Sequence, residues 1–224
     1  MIMELAKGLA LDMEKNSNTK YLIAICGKSA SGKDTLARGL SRELGYNLIV
    51  KDTSRPSRHN ETHGQDYYFV DSQDIYGNEE LYMCRSVFRG WAYGTRISEL
   101  KDGVNVGVFS PIDLLQIKDT LKDENVIIIP VYLDINKKVR RARAIDRNRG
   151  RISFEILRRE FTDDKDFSNI DSIIRTFFPA YVKYYGNTVQ YRECFDTNTR
   201  YRYDGQLNNI ILDIVEKSRA FSHN

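Results

Sequence analysis

The chain has 224 residues, 41% of them apolar and 29% charged, with a net charge of only +3. That is material for one large domain, or for a core carrying a small insertion. The longest apolar runs fall far short of the about 18 residues of a membrane span, and three widely spaced cysteines (Cys26, Cys84, Cys194) form no C-x-x-C pair. This argues against a disulfide scaffold and a cysteine zinc site, and for a reduced, cytoplasmic setting.

Taken in chain order, Ile2, Leu5, Leu9 and Met13 fall at helical spacing among Glu4, Lys7, Asp12, Glu14 and Lys15. This predicts an amphipathic helical extension over residues 1–18 lying on the core, rather than a secretory leader or membrane anchor. The apolar run Tyr21–Cys26 predicts a strand, and Leu36, Leu40 and Leu44 mark a helix over Lys33–Leu44. Between them lies Gly27-Lys28-Ser29-Ala30-Ser31-Gly32-Lys33-Asp34, of the form G-x-x-x-x-G-K. Glycines let successive backbone N–H groups turn around a phosphate, and the helix start adds partial positive charge. Gly27, Ser29, Ser31, Gly32, Lys33, Asp34 and Thr35 are therefore the candidate donor-nucleotide residues, with Lys33 reaching the terminal phosphates. Asp34 stands where a Ser or Thr normally meets Mg²⁺, and as a hard oxygen ligand it is the candidate metal residue.

Further strands are predicted at Asn47–Val50, Val104–Phe109, Val126–Leu133 and Thr188–Cys194, and helices at Pro111–Lys122, Asn136–Asn148, Ser153–Asp163 and Gly205–Arg219. Ser110 before Pro111 reads as an N-cap, and Gly45 and Gly150 as helix ends. Val126–Ile129 is almost wholly β-branched, as in a strand covered on both faces. Alternating strands and helices after a phosphate loop predict an α/β P-loop NTPase fold, a parallel sheet flanked by helices. The core would comprise residues 19–50 and 98–224.

Residues 51–97 break this rhythm. The stretch is polar, rich in Arg, His, Asp and Tyr, with short strands at Tyr67–Val70 and Leu81–Phe88, and reads as a small inserted lobe for a second substrate. Arg55 and Arg58, three apart around Pro56, make a stiff fork suited to one phosphate, which tyrosine hydroxyls can complete. His59 and His63 have few neighbouring ligand types and read as solvated loop residues. From Lys137 to Arg159 ten Lys or Arg face only Asp146 and Glu155, a local charge of +8. One basic segment opposite a phosphate loop suggests a phosphate clamp and argues against a nucleic-acid surface.

Together, Thr53-Ser54-Arg55-Pro56-Ser57-Arg58, Gly64-Gln65-Asp66-Tyr67-Tyr68-Phe69-Val70 and Tyr93-Gly94-Thr95, following the phosphate loop in this order, resemble guanylate kinases. The resemblance runs from about Tyr21 to about Arg159. It implies ATP and Mg²⁺ as donor and ion, and transfer of a phosphoryl group to a nucleoside monophosphate, GMP or dGMP. It further implies that Arg55, Arg58, Tyr67, Tyr93 and Gly94 hold the acceptor, that Thr95 touches the base, and that a lid at about 137–159 supplies Arg140, Arg143 and Arg147 to the transferring group beside Lys33. A monomer or homodimer binding no membrane is expected. Three positions depart from the family pattern. Its base-reading glutamate falls on Cys84, a base-contacting serine falls on Lys51, and the aspartates ending its next strand fall on Phe109, Ser110 and Pro111, with Asp113 two residues later. Rival readings are a kinase of this fold for another deoxynucleotide or small phosphate acceptor, a polynucleotide kinase, and a non-catalytic nucleotide-binding module.

Overall fold

A computed structural model describes residues 19–178, 181–184, 188–192 and 199–202. The helices expected at 1–18 and Gly205–Arg219, and Cys194, lie outside these residues.

Strand β1, Lys20–Gly27, is the axis of the molecule, buried from Tyr21 onward. Its side chains alternate between two cores, as the period of a strand requires. Tyr21, Ile23 and Ile25 join a cluster with Ala37 and Leu40 of helix α1, Lys33–Leu44. Leu22, Ala24 and Cys26 face the opposite cluster, with Leu114 and Ile117. A strand covered on both sides must be apolar at every position, and the run Tyr21–Cys26 is.

The short strand β2, Asn47–Leu48, ends two residues before the expected Val50. Four strands that form a second sheet come next: β3 (Asp52–Thr53), β4 (Tyr68–Phe69), β5 (Tyr82–Phe88) and β6 (Trp91–Arg96), with helix α2 (Ser72–Tyr76) between β4 and β5. The chain returns to the main sheet with β7 (Gly103–Val108), helix α3 (Pro111–Thr120), β8 (Val126–Leu133), helices α4 (Lys137–Arg147), α5 (Phe154–Asp166) and α6 (Ile170–Phe177), then β9 (Tyr181–Tyr184), β10 (Thr188–Arg192) and β11 (Thr199–Arg202).

The main sheet has the order β11-β10-β9-β8-β1-β7-β2. β2, β7, β1, β8 and β9 run parallel, and helices cover both faces of the central strands. This is the α/β parallel sheet expected of a phosphate-loop protein. One edge departs from it, because β10 and β11 are antiparallel. Burial along β8 also differs from expectation: Val126 to Ile128 are half-buried and the sealed part is Ile129–Leu133. No described helix is long and apolar enough to cross a membrane.

The second sheet, ordered β4-β3-β6-β5, turns on the buried Asp52. Its Oδ2 accepts from the Tyr82 hydroxyl and, at 2.7 Å, from Arg96 Nε. A Cβ at Gly94 would lie 2.5 Å from the Tyr82 ring, so only glycine lets β6 pass over that tyrosine. Gly94 thereby shapes the lobe.

Helix α3 begins as expected. Ser110 Oγ accepts from Asp113 N at 3.2 Å, and Asp113 Oδ2 accepts from Ser110 N at 3.0 Å, a reciprocal cap with Pro111 in the first turn. The end of α4 differs from the reading of Gly150 as the left-handed stop. Arg149 itself takes that conformation, at φ 56°, and Gly150 follows at φ 75°. The paired bonds Gly150 N to Ile145 O and Arg149 N to Asp146 O, both 2.9 Å, define the terminal motif. A non-glycine residue in the left-handed region costs about 1–2 kcal/mol. Arg149→Gly is therefore expected to raise the urea midpoint by the equivalent of about 0.5–1 kcal/mol, part of the gain being offset by glycine's larger unfolded-state entropy.

Candidate active site

The phosphate loop sits at the carboxyl end of β1. Ala30 at φ 61° and Gly32 at φ 98° turn the backbone into α1, whose first amides receive no side-chain cap. Gly27 is required by close approach, since a Cβ there would meet Ser31 Oγ at 2.6 Å and Leu133 O at 3.1 Å. Ser31 Oγ is buried without a hydrogen-bond partner. A cradle that a methyl group would fill, uncapped helix amides and an orphaned hydroxyl suit a phosphate group. Asp34 and Thr35 are exposed on the first turn of α1. Burial lowers the Lys33 pKa against the opposing pull of Asp34 and Asp163.

Helix α5 reaches over this loop with two acids. Ser29 N donates to Asp163 Oδ2 at 2.6 Å, and Lys28 Nζ lies 2.6 Å from Asp164 Oδ1. Burial pushes the Asp163 carboxyl up, with Ser29 N–H and Lys33 acting the other way. Arg159 Nη1 reaches Ser29 Oγ at 3.3 Å. Of the three expected lid arginines, Arg143 Nη1 donates to Ser31 O at 3.1 Å. Arg140 is only 4% exposed, with Nε on Ile135 O at 3.0 Å and Nη1 3.9 Å from Asp163 Oδ2. It is thus fixed beneath the helix, not held out in solvent. Arg147 lines the adjoining cleft.

Residues expected to hold an acceptor also gather. Arg55 lies over the Tyr67 ring at 5.3 Å, and the Tyr67 and Tyr93 rings are 6.2 Å apart. Glu61 ties the arginines together, accepting from Arg55 Nη2 at 3.0 Å and Arg58 N at 2.8 Å. Thr95 is fully buried on β6, opposite Cys84 on β5. Burial, followed by the nearby Asp113 charge, pushes the Cys84 thiol up to about 12, so it is neutral.

Ser29 of the loop and Arg58 of the lobe meet the basic helices in one cleft of about 310 Å³, lined also by Arg140, Arg147, Glu155 and Arg159, whereas Lys33, Arg55, Tyr67 and Tyr93 lie outside its lining. At its rim Arg89, on the β5–β6 turn, pairs with Glu155 on α5 and so joins the lobe to the basic helices. Glu61 and Asp163 were missed in the sequence. Glu61 had a local signal, an acid three residues beyond Arg58. Asp163 had none, because 134 residues separate it from Ser29.

The guanylate kinase family model matches residues 19–174. The chain belongs to the guanylate kinase family. It is 30% identical over 145 residues to a guanylate kinase of Rhodopirellula baltica, covering 61% of this chain and 69% of that protein. Over 135 residues it is 30% identical to one of Lawsonia intracellularis, with coverages of 56% and 63%. A guanylate kinase of Legionella pneumophila (strain Paris) is 31% identical over 133 residues, covering 55% and 62%. The matches thus span about two thirds of the relatives' length, and slightly less for two of these three. A crystal structure of guanylate kinase from Anaplasma phagocytophilum overlays with a TM-score of 0.49 at 14% identity, covering 91% of this chain and 87% of that one.

The Glu61 clamp makes a pH prediction. Burial raises the Glu61 pKa, but the Arg55 and Arg58 contacts outweigh it, leaving the value below the ordinary 4.5. A depressed carboxylate contributes stability that is present above the unfolded value and lost as pH falls through the folded one. Glu61→Gln should lower Tm at neutral pH and flatten the acid limb of the Tm–pH profile below about pH 4.5, measured by scanning calorimetry.

Proposed function

We propose that this chain transfers the terminal phosphoryl group of ATP to a nucleoside monophosphate of the guanylate class, giving ADP and the diphosphate. The observation that carries this reading is the shared cleft, in which Ser29 of the phosphate loop, Arg58 of the lobe and Arg140, Arg147 and Arg159 of the basic helices line one space. Residues 51–97 then act as the acceptor lobe, and about 137–159 as the lid. The family membership supports the same chemistry.

Phosphoryl transfer needs little covalent help from protein; positioning and charge neutralisation do most of the work. Gly27 to Thr35 hold the donor, with Lys33 on its terminal phosphates. Arg55, Arg58, Tyr67 and Tyr93 hold the acceptor phosphate. Arg147 and Arg159 meet the charge that develops between them, while Arg143 braces the loop. The residues fit a magnesium ion: Asp34 offers an exposed carboxylate at the helix start, and Mg²⁺ is commonly held by one or two carboxylates with substrate phosphates. When bound, the ion would neutralise phosphate charge. The buried free thiols of Cys26 and Cys84 suit a cytoplasmic protein.

The test is ADP release with ATP·Mg and each nucleoside monophosphate in turn. Lys33→Ala should reduce transfer by roughly 10²–10⁴ in a folded variant, and activity within a few-fold of wild type would remove Lys33 from the mechanism.

Asp163 adds a second expectation. Its carboxylate takes the Ser29 N–H at 2.6 Å, a donor that a phosphate would use, so ATP must displace it. Asp163→Ala should tighten a non-hydrolysable ATP analogue by about 10-fold in calorimetry. Unchanged or weaker binding would mean that Asp163 holds the loop in its binding shape instead.

A further inference from the structure

Tyr67 belongs to two groups. Arg55 of the phosphate cage lies 5.3 Å from its ring centre, and Lys51 acts on its hydroxyl electrostatically. An acceptor whose phosphate occupies the cage therefore extends toward Lys51 and its neighbours.

Those neighbours are Asp113, Cys84, Thr95 and Phe109. Lys51 Nζ is 3.1 Å from Asp113 Oδ2 and 4.5 Å from the Phe109 ring centre. The Lys51 side chain keeps 18% exposure and the Asp113 side chain 5%, so the pair is sheltered but reachable. Burial works against the Lys51 charge, yet Asp113 carries its pKa above the ordinary lysine value. The pair is ionised. An ammonium has three donors, of which Asp113 takes one; a carboxylate has about four lone-pair positions, of which Lys51 and Ser110 N take two. Thr95 Oγ1 is buried, with only the weak Cys84 thiol interacting with it.

A donor and an acceptor side by side are the complement of a carbonyl next to an N–H, the lactam edge of a base. Adenine presents the reverse order, an amino donor beside a bare ring nitrogen. It would set donor against ammonium and lone pair against carboxylate. The neutral Cys84 thiol, a weak hydrogen-bonding group, is poorly suited to hold an additional amino group.

We propose that the Lys51–Asp113 pair reads the lactam edge of a 6-oxopurine, Lys51 donating to the carbonyl oxygen and Asp113 accepting from the adjacent N–H, with a 2-amino group left unread. The acceptor class is then guanine and hypoxanthine monophosphates alike. This rests on the kinase reading for the presence of a monophosphate in the Arg55 cage.

Titration calorimetry with GMP, IMP and AMP, run beside the ADP-release assay, tests it on the wild type, Lys51→Met, Lys51→Met/Asp113→Asn and Arg58→Ala. The double variant covers the chance that Lys51→Met alone leaves a buried charge and unfolds. GMP and IMP should agree within about 10-fold in Kd and kcat/KM, with AMP weaker by about 100-fold or more, and either Lys51 variant should bring the GMP-to-AMP ratio below about 10. Arg58→Ala should weaken all three equally and keep the ratio. A GMP preference over IMP above about 100-fold overturns the inference, because the 2-amino group is then read. So does a GMP-to-AMP ratio that survives loss of Lys51, or failure of all three to bind. Lactam preference in binding without phosphoryl transfer would count against the kinase reading alone. Transfer without lactam preference would count against this inference alone.

Discussion

Convergent positive charge is the constraint on which the rest of this structure depends. The loop, the lobe and the basic helices bring lysines and arginines close together, and at short range like charges repel strongly wherever water is thin. The chain balances them with its own carboxylates. Glu61 sits between Arg55 and Arg58, Asp163 lies on the loop amide of Ser29 near Lys33 and Arg140, and Asp164 takes both Lys28 and Lys137. Glu160 does the same for Arg141, and Glu155 for Arg89 and Arg159. The local +8 read in the sequence from Lys137 to Arg159 is thus answered in part within the fold, at Lys137, Arg140, Arg141 and Arg159, chiefly by acids of α5. These carboxylates keep the cationic groups placed.

The frame that permits this is the central strand. β1 is locked between β7 and β8 in parallel register from Lys20, and the ladder to β8 continues to Gly27. The loop therefore leaves a strand that cannot shift without unpairing its neighbours. Helix α1 packs Ala37 and Leu40 into the core below, fixing the other end of the loop. Rigid ends let a loop with two left-handed residues hold one shape, and a preorganised anion site loses less entropy on binding. The lobe of residues 51–97 is built differently. Its four-stranded sheet turns on one buried carboxylate, Asp52, and the hairpin tip reaches α5 through the surface-exposed Arg89–Glu155 pair. Exposed ion pairs contribute about 0–1 kcal/mol, so this rim contact ties the two parts together only weakly.

How much of this was legible in the sequence follows from the range of each interaction. The phosphate loop was readable because its chemistry needs glycines and a lysine at fixed spacing between a strand and a helix. Helices α1 and α3 were placed almost to the residue, since Leu36, Leu40 and Leu44, and the Ser110–Pro111 cap, are local signals. Helix α6 and strand β9 were not anticipated; Ile170, Ile174, Tyr181 and Val182 are buried by contacts from far along the chain. In the site, Arg55, Arg58, Tyr67 and Tyr93 came together as their motifs suggest, because the lobe's sheet brings those segments side by side. Asp163 was invisible, as its meaning lies wholly in a partner 134 residues away. Lys51 and Asp113 were each noticed as departures from the family pattern. That they are departures in concert, one ion pair, only the fold reveals.

That pair has a structural logic of its own. Asp113 closes the reciprocal cap of α3, so its carboxylate is fixed by Ser110 N before any ligand arrives. An acid that already belongs to a helix cap has little rotamer freedom left to lose, and its placement is inherited from β7 and the turn that follows. Lys51 is the opposite kind of residue, a long flexible chain whose charge burial would discourage. Asp113 supplies the counter-charge that keeps it ionised, and the Phe109 ring face adds a second attraction at 4.5 Å. Neither residue would be a good reader alone: an isolated buried lysine tends to lose its proton, and an isolated buried carboxylate tends to gain one. Together they hold a donor and an acceptor at fixed separation in a sheltered place, where hydrogen bonds to a base discriminate most because water cannot replace them.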